Sequence, residues 1–410
     1  MSTVIDIRRN SSASNPRRFA FVVPRFGKET GGAETLCREI AIRLCKRGDK
    51  VDILTTCAKD NRSWENALPE GEEIDNQLVV KRFKVDDRNL EVWIPHQISI
   101  HEGINPGINA QLDWLTHSVN STGLYSNIKQ NADRYDAIFF APYLFGTTFW
   151  GSLIRPDKSV LIPCLHDENY SYLESIAAMF KTVKGCMFNA IPEMNFARSL
   201  YGQIPGGEVG MGFESFSDEY IAKLVPYFEK NLRYILYVGR KETGKNAHKL
   251  IDDFIYSKDN GKIPEDIKLV ISGGGSFSDL HRPSALKRND IIDQGFVSEL
   301  DKHRIIKHSQ FLCQPSKNES FSIVIMEAWL LNTPVLVDSG CAVTRAHVIE
   351  SNGGLYYESA QEFSLVSAKL INNKDLRVTL ANLGNAYVKN KYSWSAVLDR
   401  FDSVLETILQ

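Results

Sequence analysis

The feature that most constrains this chain is an alternation running through its second half. Short apolar-rich segments, RYILYVGR (233–240), IKLVIS (267–272), IIDQGFV (291–297), FLCQPS (311–316) and TPVLVDS (333–339), take turns with segments of helical period. The latter are NAHKLIDDFIY (246–256), ELDKHRIIKHS (299–309) and FSIVIMEAWLL (321–331). Continuous apolar strands separated by helices need both sheet faces covered, which predicts a parallel, doubly wound α/β sheet. The first half opens the same way. A strand at Phe19–Val23 leads through a Gly-containing loop to a helix expected over Ala33–Arg47, with Leu36, Ile40 and Leu44 on one face. Gly48 ends that helix and VDILTT supplies the next strand, with further strands expected at Leu78–Val85, DAIFFAP and SVLIPCLHD. Residues 60 to 130 read as polar and irregular apart from that one strand, and a polar helical stretch is expected to lead up to Asn231.

Two such runs meeting near 215–230 predict an N-terminal domain over 1–215 and a C-terminal domain over 216–392. Ligands of these folds bind beyond the carboxyl ends of the strands, and clefts between domains are favoured sites. At 410 residues, each domain has enough chain to bury its own core.

Composition narrows the function. A net charge of −2 argues against nucleic acid as a partner. The seven cysteines include no C-x-x-C pair, and Cys57, Cys164 and Cys313 sit in apolar runs, as buried thiols of a reducing compartment would. The nine histidines show no zinc-binding spacing, so no metal is expected. Residues 1–18 read as a polar leader whose arginines 8, 9, 17 and 18 lend faint support to peripheral membrane contact. Ala137–Ile154 has 18 residues without a formal charge, but Pro142, Gly146 and Gly151 interrupt it, so it reads as a strand and a helix start.

The most informative string is PSKNESFSIVIMEAW. Glu319 lies in a loop after a strand, and Glu327 lies on the helix expected from about Ser322. The first turn of that helix, with Ser320, Phe321, Ser322 and Ile323 leading in, presents free backbone N–H groups at the positive end of the helix dipole. Such a terminus favours a leaving diphosphate. Glu319 can accept from sugar hydroxyls and Glu327 can reach a ribose; two ordinary helix carboxylates are the plain alternative. Arg240 and Lys245 follow another strand end, where a planar guanidinium and a compact ammonium suit a diphosphate. Gly31 and Gly32 allow a ligand close to the backbone, although a simple tight turn reads equally well. His166 follows a buried strand and serves either a sugar or the fold. Gly274, Phe296 and Val297 are weak candidates for a nucleobase pocket. Trp64, Trp93 and Trp114 offer stacking faces, with burial the commoner fate of tryptophan. The absence of G-x-G-x-x-G disfavours a nicotinamide dinucleotide.

Taken together, GGAE (31–34), the His of LHD (165–167), VGR-x4-K (238–245), GGG (273–275), GFV (295–297), ESFSIVIMEAW (319–329), SNGGLYY (351–357) and YSW (392–394) resemble the retaining glycosyltransferases of GT-B architecture, group 1 or family-4 type. They follow that family's order across most of the chain. The resemblance implies two Rossmann-like domains facing a central cleft, and a final helix of about 393–410 packing back on the N-terminal domain. It gives the diphosphate to Arg240 and Lys245, the donor sugar to Glu319 and His166, the ribose to Glu327, and the base to the backbone near Phe296 and Val297. It implies a UDP- or GDP-hexose donor, a glycan or lipid-linked acceptor, no cofactor, and a cytoplasmic setting in polysaccharide or glycoconjugate assembly. Asn246 and Ser320 stand where that family commonly has glycine. A UDP-sugar 2-epimerase-like enzyme on the same fold and a non-catalytic nucleotide-sugar-binding protein are the competing readings.

Overall fold

The computed structural model describes residues 16–27, 30–229 and 232–410. The chain divides into two compact units, residues 1–212 with 394–410 and residues 213–393. The first holds an eight-stranded sheet in the order β3-β4-β2-β1-β5-β6-β7-β8. Its strands are β1 (Arg18–Val22), β2 (Lys50–Thr56), β3 (Gly71–Asp75), β4 (Leu78–Phe83), β5 (Ala137–Phe140), β6 (Ser159–Leu161), β7 (Gly185–Phe188) and β8 (Gly206–Glu208). Among the described residues only the β3–β4 strand pair of this sheet is antiparallel. In the second unit, β9 (Arg233–Val238), β10 (Ile267–Ser272), β11 (Ile291–Gly295), β12 (Phe311–Gln314), β13 (Val335–Asp338) and β14 (Gly354–Tyr357) form an all-parallel sheet. Its order, β11-β10-β9-β12-β13-β14, is that of a dinucleotide-binding Rossmann sheet. The expected doubly wound α/β class is therefore present in both units.

Burial explains why these segments became strands. Phe19, Phe21, Ile138, Phe140 and Leu161 are fully buried in the first unit, as are Ile235, Leu269, Ile271, Phe311 and Leu336 in the second. The C-terminal helix Trp394–Leu409 supplies part of the first unit's cover. Phe401 packs against Phe19 and Phe139, with centroids 6.0 and 5.4 Å apart. Its Asp402 pairs with Arg17 and, at 2.8 Å, with Arg47.

Several expectations need correction. Residues 1–15 of the leader, with Arg8 and Arg9, lie outside the described residues. Arg17 and Arg18 do not extend it: Arg17 is engaged by Asp402, and Arg18 begins β1 and reaches Asp52 at 3.0 Å. The stretch 60–130 is not irregular. It holds the β3–β4 hairpin and the helices Leu90–His101, Ile108–Thr116 and Thr122–Asn131. The strand read at SVLIPCLHD stops at Leu161, and Cys164 turns into left-handed backbone at φ 53°. The polar helix toward Asn231 is only Asp218–Lys223. Ala137–Ile154 is β5 followed by the short helix Gly146–Ser152, and among the described residues no helix is long and apolar enough to cross a membrane. All seven cysteines are free.

Candidate functional site

In the second unit the strand order reverses between β9 and β12, so their carboxyl ends flank the crevice where doubly wound sheets take ligands. The β9 loop carries Arg240 and Lys245; the β12 loop carries Glu319 and ends at the helix Ile323–Leu330. The two loops are bonded together. Lys245 Nζ donates to Glu319 Oε1 at 2.9 Å, and Asn246 Nδ2 donates to the Pro315 carbonyl at 2.9 Å. Asn246 itself adopts left-handed backbone at φ 58°, which asparagine tolerates better than most residues. Its amide thus serves as a tie that glycine could not provide.

Ser322 stands at the N-cap position of the helix Ile323–Leu330 in left-handed backbone, φ 72°, and among the described residues no side chain caps its first amides. Its neighbour Phe321 is buried against Tyr392 and His347, at centroid distances of 5.1 and 5.3 Å, which fixes the entry to the helix. The result is a rigid, uncapped helix start beside an ammonium, an arrangement that receives an anion. Arg240 is 60% exposed and paired with Glu242 at 3.0 Å, so its guanidinium can swing toward a ligand without leaving a buried partner behind.

Glu327 lies one helical face further on. Lys302 donates to its Oε1 at 3.0 Å; burial raises the carboxyl pKa and Lys302 pulls it back. Phe296 stands 85% exposed just past β11, available to a flat ring, while Val297 is half-buried. Gly274 gives its carbonyl to Lys241 N at 2.7 Å. Next to it, Gly273 at φ 134° brings backbone so close to Gly239 that a Cβ would lie 2.0 Å from that carbonyl oxygen.

Lys241 escaped the sequence reading. It is 2% exposed, reaches the carbonyls of Gly273 and Gly275, and pairs with Asp293 at 3.0 Å. One buried ammonium thereby fastens the loops after β9 and β10 to strand β11. In sequence it is one more charge in RKETGK, so nothing set it apart.

The remaining candidates belong to the first unit. Gly31 precedes the helix Gly32–Lys46, and a Cβ there would stand 2.7 Å from Glu34 Oε2. Its bareness makes room for a buried ion pair, Arg25 to Glu34 at 2.8 Å. His166 is partly exposed, its Nδ1 3.6 Å from Glu168 Oε1, and Glu168 in turn accepts from Tyr143 at 2.7 Å. A second residue absent from the sequence reading, Glu193, accepts from Leu165 N and Asn189 N, each at 2.6 Å. It braces the loop carrying His166. A glutamate three residues into a helix, reaching back past its start, was the available signal. The tryptophans are taken up in packing: Trp114 stacks on Tyr170 at 5.6 Å and Trp64 meets Phe145 at 5.2 Å, both buried, while Trp93 is half-buried with Arg88 over its ring. Among the described residues no cluster of three or more His, Cys, Asp or Glu side chains is poised to hold a metal.

With this geometry in hand, comparison with known proteins is informative. Residues 223–391 match the family model of the glycosyl transferases group 1. An uncharacterized glycosyltransferase of Methanocaldococcus jannaschii is 24% identical over 388 residues, covering 90% of this chain and 92% of that protein. Among solved structures, the sucrose-phosphate synthase of Thermosynechococcus elongatus aligns with a TM-score of 0.70 at 14% identity, over 95% of this chain and 98% of that one. HepE of Anabaena, solved in complex with UDP and glucose, aligns with a TM-score of 0.67 at 16% identity, over 96% and 99%. The fold is the two-domain GT-B fold.

Proposed function

We infer that this chain, whose residues 223–391 match the glycosyl transferases group 1, moves a hexose from a UDP- or GDP-linked donor to a hydroxyl of a glycan or glycolipid, with retention at the anomeric carbon and without a metal. The observation that carries this reading is the crevice between β9 and β12, where Lys245 meets the Glu319 carboxylate beside the start of the helix Ile323–Leu330 and the same β9 loop presents an exposed Arg240. That HepE was solved with UDP and glucose supports a sugar nucleotide as the donor.

In this reading the β-phosphate sits on the amides from Phe321 to Val324, with Ser320 at the loop's edge. Lys245 and Arg240 neutralise the charge that develops as the bond from C1 to the phosphate oxygen breaks. Once drawn onto the bound diphosphate, these donors face charge present mainly in the transition state, so they accelerate the step. The acceptor oxygen approaches C1 from the face the diphosphate leaves, and its proton passes to the departing phosphate oxygen. Glu319 orients the sugar, Glu327 takes the ribose, and the base rests by Phe296 and Val297.

The test is release of nucleoside diphosphate from a panel of UDP- and GDP-hexoses, followed by NMR of the anomeric configuration of the product. Lys245→Ala is expected to lower turnover on the order of a hundredfold. Wild-type turnover in that variant would remove the assignment, and an epimerised donor formed without acceptor would move the chain to a different reaction.

A further inference from the structure

We propose that Gln314 is the positioning residue that holds the Glu319 carboxylate in place for the donor sugar, and so sets discrimination between the sugar nucleotide and the bare nucleotide. The inference rests on the donor-site reading above. Gln314 is the last residue of β12 and is 5% exposed. Its Nε2 donates to Glu319 Oε1 at 3.3 Å and to Ser322 Oγ at 3.4 Å, so one amide touches both residues that frame the helix start. Its Oε1 is buried without a hydrogen-bond partner among the described residues. Turning the amide over would set that oxygen against the Glu319 carboxylate and give up the donor to it. Electrostatics therefore dictate the orientation. A buried acceptor left unpaired lowers stability, and a leucine or methionine of similar size would avoid it. Glutamine here serves the site at the fold's expense.

Lys245 makes the need for it plain. Both Lys245 Nζ and Gln314 Nε2 donate to the same oxygen, Glu319 Oε1, and on the donor-site reading Oε2 is the one that takes a sugar hydroxyl. When a diphosphate arrives, Lys245 is drawn toward it and its hold on Glu319 weakens. Gln314 carries no charge to be drawn away and cannot follow. It keeps Oε1 anchored while the ammonium turns to phosphate, so binding of the diphosphate does not disorder the group that reads the sugar.

The prediction separates two ligands that differ only in the sugar. Calorimetric titration of the full chain with UDP and GDP, and with UDP- and GDP-glucose, identifies the preferred base. Gln314→Met keeps the length and removes the donor. It is expected to bind the free nucleoside diphosphate as wild type does and the sugar nucleotide about five- to tenfold more weakly, the scale of one ordinary hydrogen bond lost. Gln314→Glu sets a like charge beside Glu319 and is expected to lose more at neutral pH, again on the sugar nucleotide alone. Thermal melts confirm that each variant is folded; if one is not, the other carries the test. Equal loss on both ligands, or none on either, overturns the positioning role. Wild-type protein that binds none of these ligands overturns the donor-site reading itself.

Discussion

Glu193 shows how a single carboxyl can carry structure into chemistry. Burial raises its pKa from 4.5 to about 7, against the pull of the Asn189 and Leu165 amides and of His166. The folded protein therefore holds this proton more tightly than the unfolded chain does. Stability from the group is complete below about pH 4.5 and is lost as pH climbs to about 7, with no further change above. Glu193→Gln is expected to flatten this part of the profile in denaturant titrations run across that range, at a cost of about 1–2 kcal/mol for the hydrogen bond it gives up. An unchanged pH slope in the variant would place the titration elsewhere. Lys241 and Gln314 act in the same manner, as buried polar groups whose partners are loops.

Elements succeed where their residues agree with their surroundings, and that governs what the sequence revealed. β9, β10 and β12 were legible because both of their faces are buried and nearly every residue is apolar. The helix Ile323–Leu330, with Glu327 on it and Glu319 in the loop before it, stood out for the same reason. The β3–β4 hairpin was not legible: GEEID is exposed along most of its length, so no alternation marks it as a strand. In the helix Leu90–His101, Leu90, Ile94 and Ile98 are exposed and Pro95 lies inside, which blurs both the periodicity and the boundaries. Candidate residues carried by a motif were legible; those defined only by contacts in the folded chain, such as Gln314 with Ser322 or Lys241 with Asp293, had no mark in the sequence. The loop after β9 gives a test at this scale. Asn246→Gly keeps the left-handed turn and loses only the bond to Pro315, whereas Asn246→Ala loses both. The alanine variant is expected to lose about 1–3 kcal/mol, more than the glycine variant, in chemical unfolding. Equal losses would mean that the backbone conformation contributes nothing.

For the molecule as a whole, the division of labour is set by where each part of the chain ends up. Residues 213–393 form a complete sheet with its own core, whereas the sheet of residues 1–212 is completed by 394–410. Val404 closes over Gly207 and Ile408 over Gly185, where a Cβ on either glycine would come within 2.9 Å of the helix. Phe401→Ala should accordingly cost about 3–5 kcal/mol, as large core truncations do. Hydrogen exchange should show the loss of protection in β1 and β5, with β9 to β14 unaffected. Uniform loss across both sheets would mean that the two units unfold as one.

That helix also imposes an order on synthesis. A ribosome must finish all of residues 213–393 before it makes the segment that closes over the first sheet, so the half translated earliest is the half that matures last. Until then the ring faces of Phe19 and Phe139 are without their cover, a liability for a nascent chain. A premature stop near residue 394 would therefore injure the region most distant from it in the message.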